Sequence, residues 1–181
     1  VSNANGGLHT LEEEWVLDET ALFGSGDDGG HPWYARLDRV VRTALSVILG
    51  RPFIASITGW LNASPPTGFN SLHDHGDSSW SAVYFIDDGS STSGGKETTT
   101  TATIASDGCP RSMPGSLLIR TQLEPYTQKF GYFEVPPLPG TLVLFPGYTP
   151  HAVLPRSIEG DGCGVQSTGL RISAACNILI K

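Results

Sequence analysis

From residue 53 onward, short runs of strand-forming residues alternate with turns built on glycine and proline. The runs fall at residues 53–61, 80–86, 116–120, 132–135, 141–145 and 170–180. Pro65-Pro66-Thr67-Gly68, Gly108-Cys109-Pro110-Arg111, Pro139-Gly140 and Pro146-Gly147 punctuate them. Val, Ile, Phe, Tyr, Trp and Thr suit a pleated, half-buried surface, and Gly and Pro end it. With 22 glycines and 13 prolines in 181 residues, the core has to come from many short strands folded back on one another. The pattern predicts a mainly β domain, a sandwich or barrel with helical decoration.

One helix interrupts that pattern. Leu37, Val40, Val41, Ala44, Leu45 and Ile48 recur at helical spacing within residues 33–49, and Gly50 and Pro52 stop the run. This helix is expected to pack on the outside of a sheet. Residues 11–17 read as a short strand or helix, and 24–30 as a flexible glycine loop. The length suits a single domain over 1–181, with 1–52 a helical or irregular support and 53–181 the β core. Residues 87–96 form an acidic Gly/Ser loop, and the Thr-rich 98–104 reads as an edge strand or a loop. Residues 160–164 form a glycine loop before the last strand.

Charge and cysteine content narrow the function. A net charge of −7 argues against nucleic acid as a partner, because phosphate binding wants a basic surface. No apolar run approaches the ~18 residues that suggest a membrane span, and no signal pattern stands at the N-terminus. The chain opens on Val1 rather than Met, which leaves a leader upstream open. Cys109, Cys163 and Cys176 are widely spaced, an odd number with no metal-binding spacing. A reducing compartment, intracellular and cytoplasmic, is the expectation. Cys176 lies in an apolar run and reads as a small buried hydrophobe.

The chemistry concentrates in Gly68-Phe69-Asn70-Ser71-Leu72-His73-Asp74-His75-Gly76-Asp77. In an extended strand residues i and i+2 share a face, so His73 and His75 project together, Asp77 with them if the strand continues, and Asp74 points away. Imidazoles with a carboxylate suit iron, zinc or manganese. A turn, a strand and a second turn then lead to His151, and Arg171 opens the final run, followed by Ser173 and Asn177. A histidine pair, a remote third histidine and an arginine are what an iron centre with an acidic cosubstrate needs. His9 and His31 lie outside this pattern and read as surface or structural residues.

These stretches resemble the 2-oxoglutarate- and iron(II)-dependent oxygenases, in the subgroup with a His-x-His element and a Ser-Gly-Val-Tyr-Tyr-like strand. Here those are His73-Asp74-His75 and Ser81-Ala82-Val83-Tyr84-Phe85. The subgroup's Gly-x-Leu-Val-Leu-Phe-Pro…Pro-His element looks like Gly140 to His151, and its Arg-x-Ser…Asn looks like Arg171, Ser173 and Asn177. Asn62, in Trp60-Leu61-Asn62, resembles the subgroup's asparagine. The resemblance spans roughly residues 57 to 181.

The resemblance implies a double-stranded β-helix, or jelly roll, with Fe(II) in its open mouth. It implies 2-oxoglutarate and O₂ as cosubstrates, decarboxylation to succinate and CO₂, and attack on a substrate C–H bond. Arg171 would hold the distal carboxylate of 2-oxoglutarate as a two-pronged pair, with Ser173 and Asn62 beside it. Most of these enzymes use His-x-Asp and a distant His, so two ligand sets stand open: His73, His75 and His151, or His75, Asp77 and His151. Tyr84 reads as core. The substrate is a small molecule or a protein side chain. The other readings are a cupin-like metal enzyme or metal-binding module that does not use 2-oxoglutarate, for which Arg171 has no purpose, and a scaffold that keeps only the fold.

Overall fold

The computed structural model describes residues 4–5, 8–9, 13–15, 32–89, 114–122, 130–156 and 169–181. The loops expected at 24–30 and 160–164, the Thr-rich 98–104, most of the acidic loop, Cys109, Cys163 and His31 lie outside them.

Among the described residues eleven strands and one helix follow in order: β1 (Ala4–Asn5), β2 (Leu8–His9), β3 (Glu13–Trp15), α1 (Pro32–Leu49), β4 (Ala55–Ser64), β5 (Phe69–His73), β6 (Trp80–Asp87), β7 (Leu117–Gln122), β8 (Phe130–Val135), β9 (Leu142–Pro146), β10 (His151–Val153) and β11 (Arg171–Ile180). Residues 13–15 resolve the strand-or-helix ambiguity as strand, because β3 pairs with β4.

The strands form two antiparallel sheets. The first has the order β1-β5-β10-β7-β8, the second β2-β4-β11-β6-β9 with β3 also on β4. From β4 to β6 the chain changes sheet at each strand; it stays in the first sheet for β7 and β8, then alternates again through β9, β10 and β11. That winding is the double-stranded β-helix, the jelly roll the sequence led us to expect.

Alternation along the strands builds two cores. On β11, Ala174, Cys176 and Ile178 face outward and pack with Ile57, Ala82 and the Leu37, Val41 and Leu45 stripe of α1. The helix therefore covers the outside of the second sheet. Val41 and Leu45 are fully buried, each contributing about 1.5–3 kcal/mol by leaving water. The stripe is narrower than the periodicity suggests, since Val40 and Ile48 stay half exposed. Pro32 opens the helix, where its missing N–H costs nothing. Gly50, at φ 62°, closes it by donating its N–H to the Ser46 carbonyl at 3.0 Å. Inside α1 the buried Asp38 pairs with Arg42 at 2.8 Å, and Arg42 donates onward to the Ala55 carbonyl, tying the helix to β4. Tyr84 packs on this helix-side core. Cys176 is buried, and burial pushes its thiol up to about 12.

The second core lies between the sheets: Phe85 and Phe145 from one, Leu117 and Ile119 from the other. The opposite face of β11 carries Arg171, Ser173 and Ala175 into this interior, opposite Ser64, Asn62 and Trp60 of β4. Among the described residues no helix is long and apolar enough to cross a membrane.

Candidate functional site

His73 closes β5 and His151 opens β10, and the two are direct partners in the antiparallel register. Cross-strand partners share a face, so both rings point into the space between the sheets. His75 arrives differently from the single extended strand expected. The strand ends at His73, and a turn delivers His75: its N–H donates to the Gly147 carbonyl at 2.8 Å, and its own carbonyl accepts from Ser78 at 2.7 Å. Gly147 comes from the Pro146-Gly147 turn just before His151, so one turn braces the other.

The ring centroids are 4.3 Å apart for His73 and His151, 5.1 Å for His73 and His75, and 5.2 Å for His75 and His151. One nitrogen from each lies within 4.8 Å of the others. Nitrogens at about 2.0–2.1 Å from one ion lie up to about 4 Å apart, so modest ring rotations bring all three onto one centre. Among the described residues this is the one such group.

The second nitrogens of two of the rings are accounted for. His73 Nδ1 donates to the Ser71 carbonyl at 2.6 Å, and His151 Nδ1 to the Thr149 carbonyl at 3.0 Å. With Nδ1 protonated, Nε2 carries the lone pair, the tautomer a metal needs. Phe145 packs against the His151 ring and Trp60 against His75. Burial, with lesser repulsion from His73 and His75, pushes His151 down to about 4, so it is neutral at pH 7. Asp74 and Asp77 are both exposed and stand outside the histidine group.

The histidines share one cavity with Asn62, Ser173 and Arg171. Asn62 and Ser173 are direct partners between β4 and β11, and both are buried. Among the described residues the buried Asn62 Oδ1 has no hydrogen-bond partner, so it is an acceptor open to a donor on a molecule in the cavity. Arg171 is 3% exposed. Its Nη1 donates to the Gly115 and Leu154 carbonyls at 2.9 and 3.2 Å. Both acceptors are neutral backbone groups, and among the described residues the guanidinium has no carboxylate partner. Burial, and then Arg156, lowers its pKa to about 10, which still leaves it charged at neutral pH.

An imidazole triad, with His151 buried and His73 and His75 half-buried, and a buried cation without a carboxylate partner among the described residues thus face one cavity between two sheets. The model of a protein family described as "Putative 2OG-Fe(II) oxygenase" matches residues 58–177. The chain belongs to the 2-oxoglutarate- and iron(II)-dependent oxygenases. The matched span holds all of these cavity residues.

A solved structure at a TM-score of 0.50 supports the fold. A prolyl-4-hydroxylase from Pseudomonas putida is similar at a TM-score of 0.50 and 16% identity, over 96% of this chain and 70% of that one. A cupin domain from Bordetella pertussis is similar at a TM-score of 0.30 and 15% identity, over 68% and 80% of the two chains. No curated protein matches the chain.

The donor set fits the oxygenase's metal: three imidazole nitrogens suit a divalent first-row ion. The arginine fits a dicarboxylate, and the Asn62 amide can meet one only through its N–H, since its oxygen accepts. The sequence reading singled out all six cavity residues but missed Arg156 and Gly115, which surround Arg171. An arginine closing the apolar Ala152-Val153-Leu154-Pro155 run was the signal for the first. Gly115 offered none.

Proposed function

We propose that this oxygenase hydroxylates its substrate with Fe(II), consuming 2-oxoglutarate and O₂ and releasing succinate and CO₂. His73, His75 and His151 hold the iron, while Arg171, Ser173 and Asn62 hold the cosubstrate. The observation that carries the reading is the buried Arg171, without a carboxylate partner among the described residues, in the same cavity as the histidine triad. Burying a cation this way is costly unless an anion completes it. A metal-binding jelly roll without 2-oxoglutarate has no reason to keep it.

When bound, iron, 2-oxoglutarate and O₂ would together supply the oxidising chemistry, with O₂ the oxidant, and the protein supplies binding, orientation and exclusion of water. The Nδ1 hydrogen bonds of His73 and His151 turn their Nε2 lone pairs to the metal. The Arg171 guanidinium offers a planar fork to the distal carboxylate. The Ser173 hydroxyl, two residues along the same strand face, donates a further hydrogen bond. The apolar wall of Phe85, Leu117 and Phe145 keeps the cavity interior dry. The ligand set is the three histidines, and the exposed Asp77 takes no part in it.

Anaerobic calorimetry tests this. Fe(II) should bind once per chain, and 2-oxoglutarate should bind to the Fe(II) form. Iron binding without any 2-oxoglutarate binding would leave a cupin-like metal protein in place of the oxygenase reading.

A further inference from the structure

Arg171 does not stand alone. Arg156 lies three residues beyond β10 and is also buried. Its Nη1 donates to the Asp88 carbonyl at 2.7 Å, and its Nη2 to the carbonyls of Ser64, at 3.4 Å, and Gly169. Ser64 ends β4, Asp88 follows β6, and Gly169 lies just before β11. One guanidinium therefore ties together the ends of three neighbouring strands, at the edge where Arg171 begins β11. Ser64 is also the register partner of Arg171.

The backbone beneath is equally specific. The Gly115 N–H donates to the Pro155 carbonyl at 3.2 Å, and the Leu154 N–H to the Ser116 carbonyl at 2.9 Å. These two segments carry both carbonyls that accept from Arg171. Gly115 sits at φ +80°, where an L side chain is strained. A Cβ there would meet Arg156 Cγ at 2.7 Å and Arg171 Nη1 at 3.0 Å. Gly89, at φ +73°, leaves room for the Arg156 guanidinium in the same way.

We infer that Arg156 and Gly115 are positioning residues for Arg171: the Arg156 clamp fixes the strand ends, and the missing Gly115 side chain leaves one path for the Arg171 guanidinium, toward the cavity. This rests on Arg171 receiving the distal carboxylate of 2-oxoglutarate. Arg156 touches neither that group nor the metal. It acts through placement, and its positive charge adds to the field that favours an anion there. Lysine cannot reproduce the clamp, because one ammonium lacks the fork that reaches three carbonyls.

The experiment is a double-mutant cycle read by anaerobic 2-oxoglutarate binding to the Fe(II) protein, with Fe(II) affinity measured separately. Arg156→Lys should weaken 2-oxoglutarate by about tenfold or more and leave Fe(II) affinity within about twofold. Placed on Arg171→Ala, the same change should cost nothing further. Equal cost in both backgrounds would show that Arg156 acts independently of Arg171 and would overturn the inference. No cost in the wild-type background would overturn it as well. Should Arg156→Lys fail to fold, Gly115→Ala carries the same expectation, and unchanged 2-oxoglutarate affinity in that variant counts against it. If Arg171→Ala itself binds 2-oxoglutarate like wild type, the fault lies with the assignment of Arg171.

Discussion

His73 and His151 face each other directly across two antiparallel strands, one closing β5 and the other opening β10, with ring centroids 4.3 Å apart. Sheet register, rather than a local motif, brings together side chains 78 positions apart in the sequence. The backbone hydrogen bonds that hold the sheet also hold the candidate metal site, and two of the three rings are locked by carbonyls of their own strand approaches.

Removing either partner should therefore empty the site. His151→Ala and His73→Ala should each weaken Fe(II) binding by more than the 10–100-fold typical of losing a group that only orients a ligand. Asp77→Ala should bind iron like wild type, since its carboxylate is exposed and outside the histidine group. Metal analysis after gel filtration reads both. Iron lost from Asp77→Ala and kept by His73→Ala would make His75 and Asp77 the ligand pair.

Gly147 supports the third ring. Its carbonyl accepts the His75 N–H, its N–H donates to Ser79 at 3.2 Å, and a Cβ would run into the Ser78 carbonyl. That neighbour is backbone and cannot swing aside. Gly147→Ala should cost about 1–3 kcal/mol in chemical denaturation, as overpacking usually does. It should also loosen iron by displacing His75. A variant with full stability and full iron affinity would mean the turn moves freely.

Much of this was legible in the sequence, and the parts that were not share a cause. Helix α1 came out within one residue of its expected start because Leu37, Val41 and Leu45 carry a period that only a helix satisfies. Arg171, Ser173 and Asn62 were readable because the strand period places the first two on one face, and the family wording supplied the third. The sequence did not reveal that β5 stops at His73, since the brace on His75 comes from Gly147, 72 residues later. Arg156 escaped notice for the same reason. Its three acceptors lie on strand ends scattered from Ser64 to Gly169, and a local pattern cannot register a long-range clamp.

The Asp38–Arg42 pair makes a stability test away from the site. Asp38 is 1% exposed, and burial raises its carboxyl pKa while Arg42 pulls it back down. Arg42→Ala would strand that carboxylate and cost about 3–5 kcal/mol. The sign of the pH effect follows from the raised pKa. A carboxyl raised in the folded state stabilises below its unfolded value and loses that contribution as pH rises through the folded one. The deficit of Arg42→Ala should therefore be largest near neutral pH and shrink in acid, measured by urea denaturation across pH. A deficit that grows in acid would contradict the account.

Arg171 carries the cosubstrate assignment, and its burial sets the size of the effect expected. Its guanidinium is planar, bonded to two backbone carbonyls and without a carboxylate partner among the described residues, so its remaining donors can hold an anion with two parallel bonds. Arg171→Ala should leave Fe(II) binding intact and cost about 2–5 kcal/mol of 2-oxoglutarate affinity, the usual penalty for deleting one member of a buried charged pair. Arg171→Lys should recover only part, because an ammonium is a point charge and cannot reproduce the fork. With its pKa lowered to about 10, the wild-type side chain stays charged through neutral pH and begins to lose its proton only in strong base. Affinity for 2-oxoglutarate should therefore hold level from pH 7 to about 9 and fall as pH approaches the shifted pKa. Anaerobic calorimetry on the Fe(II) protein reads all three variants and the pH series. Equal affinity in wild type, Arg171→Ala and Arg171→Lys would remove Arg171 from the site.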